Sequence, residues 1–231
     1  MAEGVMGQDP LRAGSPLRTP RAAAVAGIVF SVLLITALTL LWLSAPASPA
    51  EAGQWLTDPG RRAAVAVGLN LVPFAGIAFL WFIGVLRDRI GEREDRFFAT
   101  VFLGSGLLFV AMLFVGAAVA GSVVAGVTPT ALPGRDTLVL GRNVTVSLLN
   151  VYSMRMAAVF TLTTVNIARH TRIVSRWLTL AGLACAVVLL IGIGISPWVE
   201  LLFPVWILAL SLEVLMARRR TLTQTAARPE G

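Results

Sequence analysis

The sequence contains no lysine and few charged residues of any kind. All 19 basic residues are arginine, and charged residues make up 13% of the 231 positions, about half of the roughly 25% found in soluble domains. Hydrophobic residues make up 57%, above the roughly 45–50% of a soluble domain. This balance excludes an ordinary water-soluble globular protein and favours a membrane protein.

Cysteine and histidine are almost absent, with one residue of each, Cys185 and His170. One cysteine excludes an intrachain disulfide, and one histidine cannot build a typical zinc site. Four acidic residues do cluster between positions 88 and 95, but the arginines among them are more typical of a solvated helix end than of a cation site. We therefore predict no metal ion, no cofactor and no catalytic residues.

The net charge of +7 raises the question of nucleic-acid binding. The arginines, however, lie mainly in short clusters at the ends of apolar runs. Arginines in that position anchor a membrane protein against anionic lipid headgroups. We predict a lipid bilayer with anionic headgroups at the cytoplasmic face as a partner, and no nucleic acid.

Six apolar runs approach or exceed the length that crosses a hydrocarbon core of about 30 Å at 1.5 Å per residue. The predicted fold is all-α, a polytopic transmembrane bundle within residues 22–217. Its six spans are 22–45, 63–86, 98–126, 146–168, 177–196 and 198–217. Residues 1–21 and 218–231 lack apolar periodicity, so we predict a disordered N-terminal tail and a basic C-terminal tail.

Two connections carry specific turn signals. Proline lacks an amide hydrogen and disfavours helix in the residue before it, so we predict the turn between the last two spans at Ser196 and Pro197. Before the fourth span, the alternation of residue types around Gly141 predicts a short hairpin outside the membrane.

The distribution of arginine predicts the orientation of the spans. Fourteen of the 19 arginines lie in 1–21, 87–97, 169–176 and 218–228, and four lie in the opposite flanks at 46–62 and 127–145. Basic residues near span ends are retained in the cytoplasm. Both termini are therefore predicted to be cytoplasmic.

The remaining arginine, Arg155, lies inside the fourth span. A guanidinium there needs hydrogen-bond acceptors, and Asn70, with the carbonyl that Pro73 frees at Leu69, could supply them. With Tyr152 nearby, these residues are candidates for a substrate-binding pocket that opens outward. The alternative is that Arg155 only snorkels to the outer headgroups.

The third span carries small residues at four-residue steps, which let helices approach closely in lipid. They serve either packing within the bundle or a homodimer face. The residues concerned are Gly116, Ala117, Ala120, Gly121 and Ala125.

The arginine-only basic set, the six spans and the passage GEREDRFFATVFLGSGLLF resemble uncharacterised multi-pass membrane proteins of actinobacteria. The resemblance implies a six-span layout in a bacterial plasma membrane and implies no activity. It assigns no role to any residue.

Two classes of function fit this sequence. The first is a non-enzymatic membrane component, either an accessory subunit beside another membrane protein or a passage for a small solute or ion. The alternative is a membrane-embedded enzyme that acts on a lipid or another hydrophobic substrate. An enzyme would need a nucleophile with its base or a pair of carboxylates, and the apolar spans offer no such set.

The orientation can be tested with single cysteines in a Cys185→Ser background. Cysteines introduced as Ala52→Cys and Thr137→Cys should react with a membrane-impermeant maleimide in intact cells, whereas Glu94→Cys should react only after lysis. Labelling of Glu94→Cys before lysis would contradict the predicted orientation.

Overall fold

A computed structural model describes residues 19–45, 54–90, 96–127, 134–171, 175–192 and 196–226. These residues form helices and no strand, which confirms the all-α prediction for them. The helices are α1 (Thr19–Ser44), α2 (Pro59–Ile90), α3 (Arg96–Ala125), α4 (Arg135–Val146), α5 (Met154–Thr171), α6 (Arg176–Ile191) and α7 (Leu202–Ala226). A π-helical segment, Ser147–Ser153, joins α4 to α5, and two short 3-10 helices cover Gln54–Thr57 and Pro197–Leu201.

Five helical stretches are long and apolar enough to cross a membrane. They lie in α1, in α2, in α3, along the continuous helix from α4 to α5, and in α7 together with the 3-10 turn before it. The helix α6 is apolar but has 16 residues, or about 24 Å of length. The count of six spans and the cytoplasmic placement of both termini stay predictions.

The structure describes helix in parts of both predicted tails. The helix α1 begins at Thr19 and α7 continues to Ala226, so helix reaches into both predicted tails. Residues 1–18 and 227–231 lie outside the described residues, and so does 91–95, which holds three of the four residues of the acidic cluster.

The predicted hairpin before the fourth span is wrong. Residues 135–171 form one continuous helix through α4, the π-helical segment and α5. Gly141 serves helix packing here, because a Cβ at this position would overlap the side chain of Val123 in α3. The glycine therefore marks a close approach of two helices, which sequence reasoning took for a turn.

The break between the last two predicted spans lies where Ser196 and Pro197 place it. The hydroxyl of Ser196 accepts a hydrogen bond from the Trp198 amide at 3.4 Å, and Pro197 begins the 3-10 turn that leads into α7. The helix α6 ends at Ile191, earlier than predicted, and the Gly192 amide closes it on the Val188 carbonyl at 2.7 Å.

A group of phenylalanines fills the middle of the bundle. Phe79 of α2 lies at its centre, with ring centroids 4.5 Å from Phe30, 5.1 Å from Phe109 and 5.1 Å from Phe160. Phe203 of α7 lies 5.8 Å from Phe79. We call these five residues, all completely buried, the phenylalanine cluster. It joins α1, α2, α3, α5 and α7, and α6 packs outside it against α5 and α7.

Replacement of Phe79 by alanine should destabilise the bundle. Phe→Ala changes in soluble cores cost about 3–5 kcal/mol, and we expect the low end of that range because burial in lipid carries no hydrophobic gain. Reversible unfolding in mixed micelles measures the effect. Phe74→Ala is the matched control, since Phe74 lies on the same helix and is 62% exposed. Equal losses in the two variants would contradict a central role for Phe79.

Candidate functional site

A cavity of about 140 Å³ lies at one end of the bundle, where α1 and α3 end and α2 and α4 begin. Arginine counting predicts that this end faces out of the cell. The walls are mainly aliphatic, and the 3-10 helix after α1 covers one side with Leu56, which is 1% exposed. The polar residues that line the cavity are Trp42, Arg142, Thr145, Asn150 and Glu200.

Local sequence explains how the covering segment is held. Asp58 precedes α2, and its Oδ1 atom accepts a hydrogen bond from the Gly60 amide at 2.8 Å, which satisfies a free amide at the helix start. Pro59 is the first residue of α2, where its missing amide hydrogen costs nothing. The chain therefore turns sharply into α2 and leaves Trp55 and Leu56 against the cavity.

Three polar atoms around the cavity are buried without a hydrogen-bond partner: Glu200 Oε2, Trp42 Nε1 and Thr145 Oγ1. The Glu200 residue is only 5% exposed. The indole of Trp42 faces its carboxyl group, but Nε1 and Oε2 do not reach hydrogen-bond geometry with each other. By contrast, the Trp206 indole, deep in α7, donates to the Leu178 carbonyl at 3.2 Å.

Unpartnered polar atoms of this kind are costly and need an explanation. A buried donor or acceptor without a partner costs about 1–3 kcal/mol, and native proteins contain few of them. The described residues contain five such side-chain atoms, and three of them belong to residues that line this cavity. Chemically, the arrangement suits a molecule with an apolar body and a head group that both donates and accepts hydrogen bonds.

The residues that the sequence nominated for a pocket lie elsewhere. Arg155 and Tyr152 are exposed on the outer surface of the bundle. Asn70 is also exposed, and its amide donates to the Ala66 carbonyl of its own helix at 2.7 Å. None of the three lines the cavity, although Leu69 does.

The small residues of α3 divide into two groups. Gly116 and Ala117 are buried, and a Cβ at Gly116 would lie 2.7 Å from Leu149 Cδ2. Ala120 lines the cavity. Gly121 has open space where a Cβ would be, and Ala125 is exposed. Of these small residues, Gly116 therefore marks the close approach between α3 and the π-helical segment.

Sequence reasoning did not single out Glu200. It lies three residues after the turn proline, close to a predicted interface where an acidic residue is ordinary. The available signal was its position inside the apolar passage WVELLFPVW.

Glu213, the other acidic residue of the last span, has a clear structural role. Its carboxylate accepts hydrogen bonds from the Ser175 amide at 2.7 Å and the Ser175 hydroxyl at 3.0 Å, at the start of α6.

Comparison with known proteins found no matching family model, curated protein or solved structure. The interpretation of the cavity therefore depends on its own geometry. Within the described ranges, no group of three histidine, cysteine or acidic side chains is arranged to hold a metal ion.

The two acidic residues of the last span should respond in opposite ways to replacement by methionine. Glu200→Met removes a buried, unpartnered oxygen and should raise stability by about 1–3 kcal/mol. Glu213→Met removes two hydrogen bonds at a partly exposed site and should lower stability by about 1 kcal/mol. Thermal unfolding in detergent measures both. A loss of stability in Glu200→Met would show that the carboxyl group has a structural partner.

Proposed function

We propose that the protein is a non-enzymatic membrane component that binds a small, mainly apolar molecule in the cavity beside Glu200. The head group of that molecule is a hydroxyl or an amide. One observation carries the proposal: Glu200, Trp42 and Thr145, each with a buried polar atom that lacks a hydrogen-bond partner, line one apolar cavity. A hydroxyl or amide offers an acceptor to the indole and a hydrogen-bond partner to the carboxyl group.

The volume of the cavity supports this class of ligand. An apolar cavity of about 150 Å³ in another protein holds benzene, and the cavity beside Glu200 measures about 140 Å³. Most of its lining is aliphatic or aromatic, with Leu38, Leu41 and Leu138 among the wall residues. A ligand of this size keeps its apolar part against these side chains and its head group against Glu200.

Binding is better supported than passage through the bundle. The phenylalanine cluster occupies the middle of the bundle, and each of its rings is completely buried. A polar solute that enters beside Glu200 would meet these rings before it could reach the opposite end. The role as an accessory or receptor subunit therefore fits better than the role as a channel.

A membrane-embedded enzyme is less well supported than a binding protein. Hydrolytic and transfer reactions need a nucleophile with a base beside it, or paired carboxylates. The described lining of the cavity contains one carboxyl group and no serine, cysteine or histidine. Glu200 is better suited to holding a head group than to covalent chemistry.

The place of the protein in the cell is part of the proposal. We propose the plasma membrane of a bacterium, with both termini in the cytoplasm. The arginine distribution supports this orientation, with fourteen residues in one set of flanks and four in the other. In this orientation the cavity opens toward the outer leaflet, so the ligand arrives from outside the cell or from the outer lipid layer.

The ligand class can be tested with benzyl alcohol and toluene, two probes of similar size that differ in a hydroxyl group. The purified protein should bind benzyl alcohol about tenfold more tightly, since one or two added hydrogen bonds contribute about 0.5–1.5 kcal/mol each. The change in fluorescence of Trp42 and Trp55, which line the cavity, measures binding in lipid nanodiscs.

The variant Glu200→Leu should bind both probes equally, whereas Glu213→Gln, changed near the middle of α7 and away from the cavity lining, should keep the preference for benzyl alcohol. If wild type and Glu200→Leu show the same preference, Glu200 does not hold the head group and the proposed ligand class is wrong.

A further inference from the structure

Arg155 lies at the middle of the longest helical stretch in the bundle. This stretch runs from Arg135 to Arg169 as one candidate span. From Arg155 the helix extends about 20 Å to Arg142 in one direction and about 20 Å to Arg169 in the other. The roughly 40 Å between those two arginines matches the thickness of a bilayer with its headgroups, about 40–45 Å. With Arg142 and Arg169 placed at the two headgroup regions, Arg155 would lie near the centre of the hydrocarbon layer.

The side chain of Arg155 is exposed on the outside of the bundle. A cation at the centre of a bilayer is costly, and such residues normally face the bundle interior or pair with an anion. The half-thickness of the hydrocarbon layer is about 15 Å. One stretched arginine side chain does not span that distance, so snorkelling alone does not bring its guanidinium to the lipid headgroups.

The described part of the chain offers Arg155 no anion. It makes no hydrogen bond or ion pair with another described residue. The two acidic residues of the last span lie elsewhere, since Glu200 is buried beside the cavity and Glu213 accepts hydrogen bonds from Ser175. A second copy of this chain in a two-fold pair would bring a second Arg155 and the same unavailable carboxylates.

The surroundings of Arg155 suit a helix as the missing partner. Tyr152, three residues before Arg155 on the same continuous helix, is 56% exposed, and residues three apart are neighbours on a helix surface. Ala157 and Ala158, which follow Arg155 on α5, are completely buried. The exposed guanidinium therefore lies directly beside a part of α5 that packs inside the bundle. The helices that pack on α5 expose apolar side chains to the membrane, such as Val115 on α3 and Val187 on α6.

We propose that Arg155 and Tyr152 form a docking surface for a transmembrane helix of a different protein, one that carries an aspartate or glutamate near its midpoint. The carboxylate pairs with the guanidinium and accepts a hydrogen bond from the Tyr152 hydroxyl. Apolar side chains on either side of the carboxylate pack against α3 and α6. This surface lies outside the cavity, and the proposal does not depend on what the cavity binds.

The test uses two synthetic helices of leucine that differ in their central residue, aspartate or leucine. Each carries a dansyl acceptor and is reconstituted with the purified protein in phosphatidylcholine vesicles at pH 8. Energy transfer from the tryptophans of the protein measures association. The aspartate helix should associate at least fivefold more tightly than the leucine helix. Equal association of the two helices with the wild-type protein would overturn the proposal.

The variants locate the effect. Arg155→Leu should reduce association of the aspartate helix to the level of the leucine helix, and Arg155→Lys should retain part of the difference. Arg169→Leu is the matched control, because it removes an exposed arginine from the same helix near its end, and the difference should persist in it. If the preference for aspartate persists in Arg155→Leu, Arg155 is not the docking residue and the proposal fails.

Two other outcomes would assign Arg155 to a different counter-ion and overturn the proposal. One is that the two leucine helices bind equally while Arg155→Leu weakens retention of phosphatidylglycerol, which would identify a lipid phosphate. The other is that Arg155→Leu abolishes self-association in nanodiscs, which would identify a second copy. Benzyl alcohol binding should be unchanged in Arg155→Leu, so that failure of this proposal is distinguishable from failure of the proposed cavity.

Discussion

The packing of phenylalanine rings around Phe79 is the interaction on which the rest of the bundle depends. In lipid, burial of apolar surface gives no net drive, so helices associate through close contact of their side chains. Dispersion contacts are individually small and become large only where many atoms fit together. Phe79 brings rings from α1, α3, α5 and α7 within 6 Å of its own. These contacts fix the depth and spacing of five helices, and the ends of the bundle follow from that arrangement.

At the end where α1 and α3 terminate, the helices are less tightly filled than at the centre, and the cavity beside Glu200 occupies the space. The covering 3-10 helix and the continuous α4 close around it. A carboxyl group, an indole and a hydroxyl without partners in such a place destabilise the folded protein. Proteins that keep unfavourable local arrangements commonly do so at functional sites. The close packing at the centre of the bundle offsets the free-energy cost of these buried polar groups.

The sequence predicted the helices well because apolar runs and turn residues act locally. Pro197 begins the 3-10 turn that leads into α7, and the apolar runs are readable from composition alone. The cavity was not predictable, because it depends on which residues of different helices meet. Gly141 shows the difference: its neighbours in sequence resemble a hairpin, and only its contact with Val123 of α3 explains the glycine. Glu200 was missed for the same reason, since its burial depends on the contact of its 3-10 turn with α1, α6 and α7, and these contacts cannot be read from the sequence of the turn.

The packing at the centre of the bundle also determines where the side chains of Glu200 and Arg155 lie. Glu200 faces the inside of the bundle and Arg155 faces its outside, so the two groups cannot pair with each other while the helices keep their places. Rotation of α5 that brought Arg155 inward would remove Phe160 from contact with Phe79. The aromatic contacts therefore keep a cation on the membrane side and a carboxyl group at the cavity. Because the two groups lie on different surfaces, the ligand proposed for the cavity and the helix proposed for Arg155 would be different molecules.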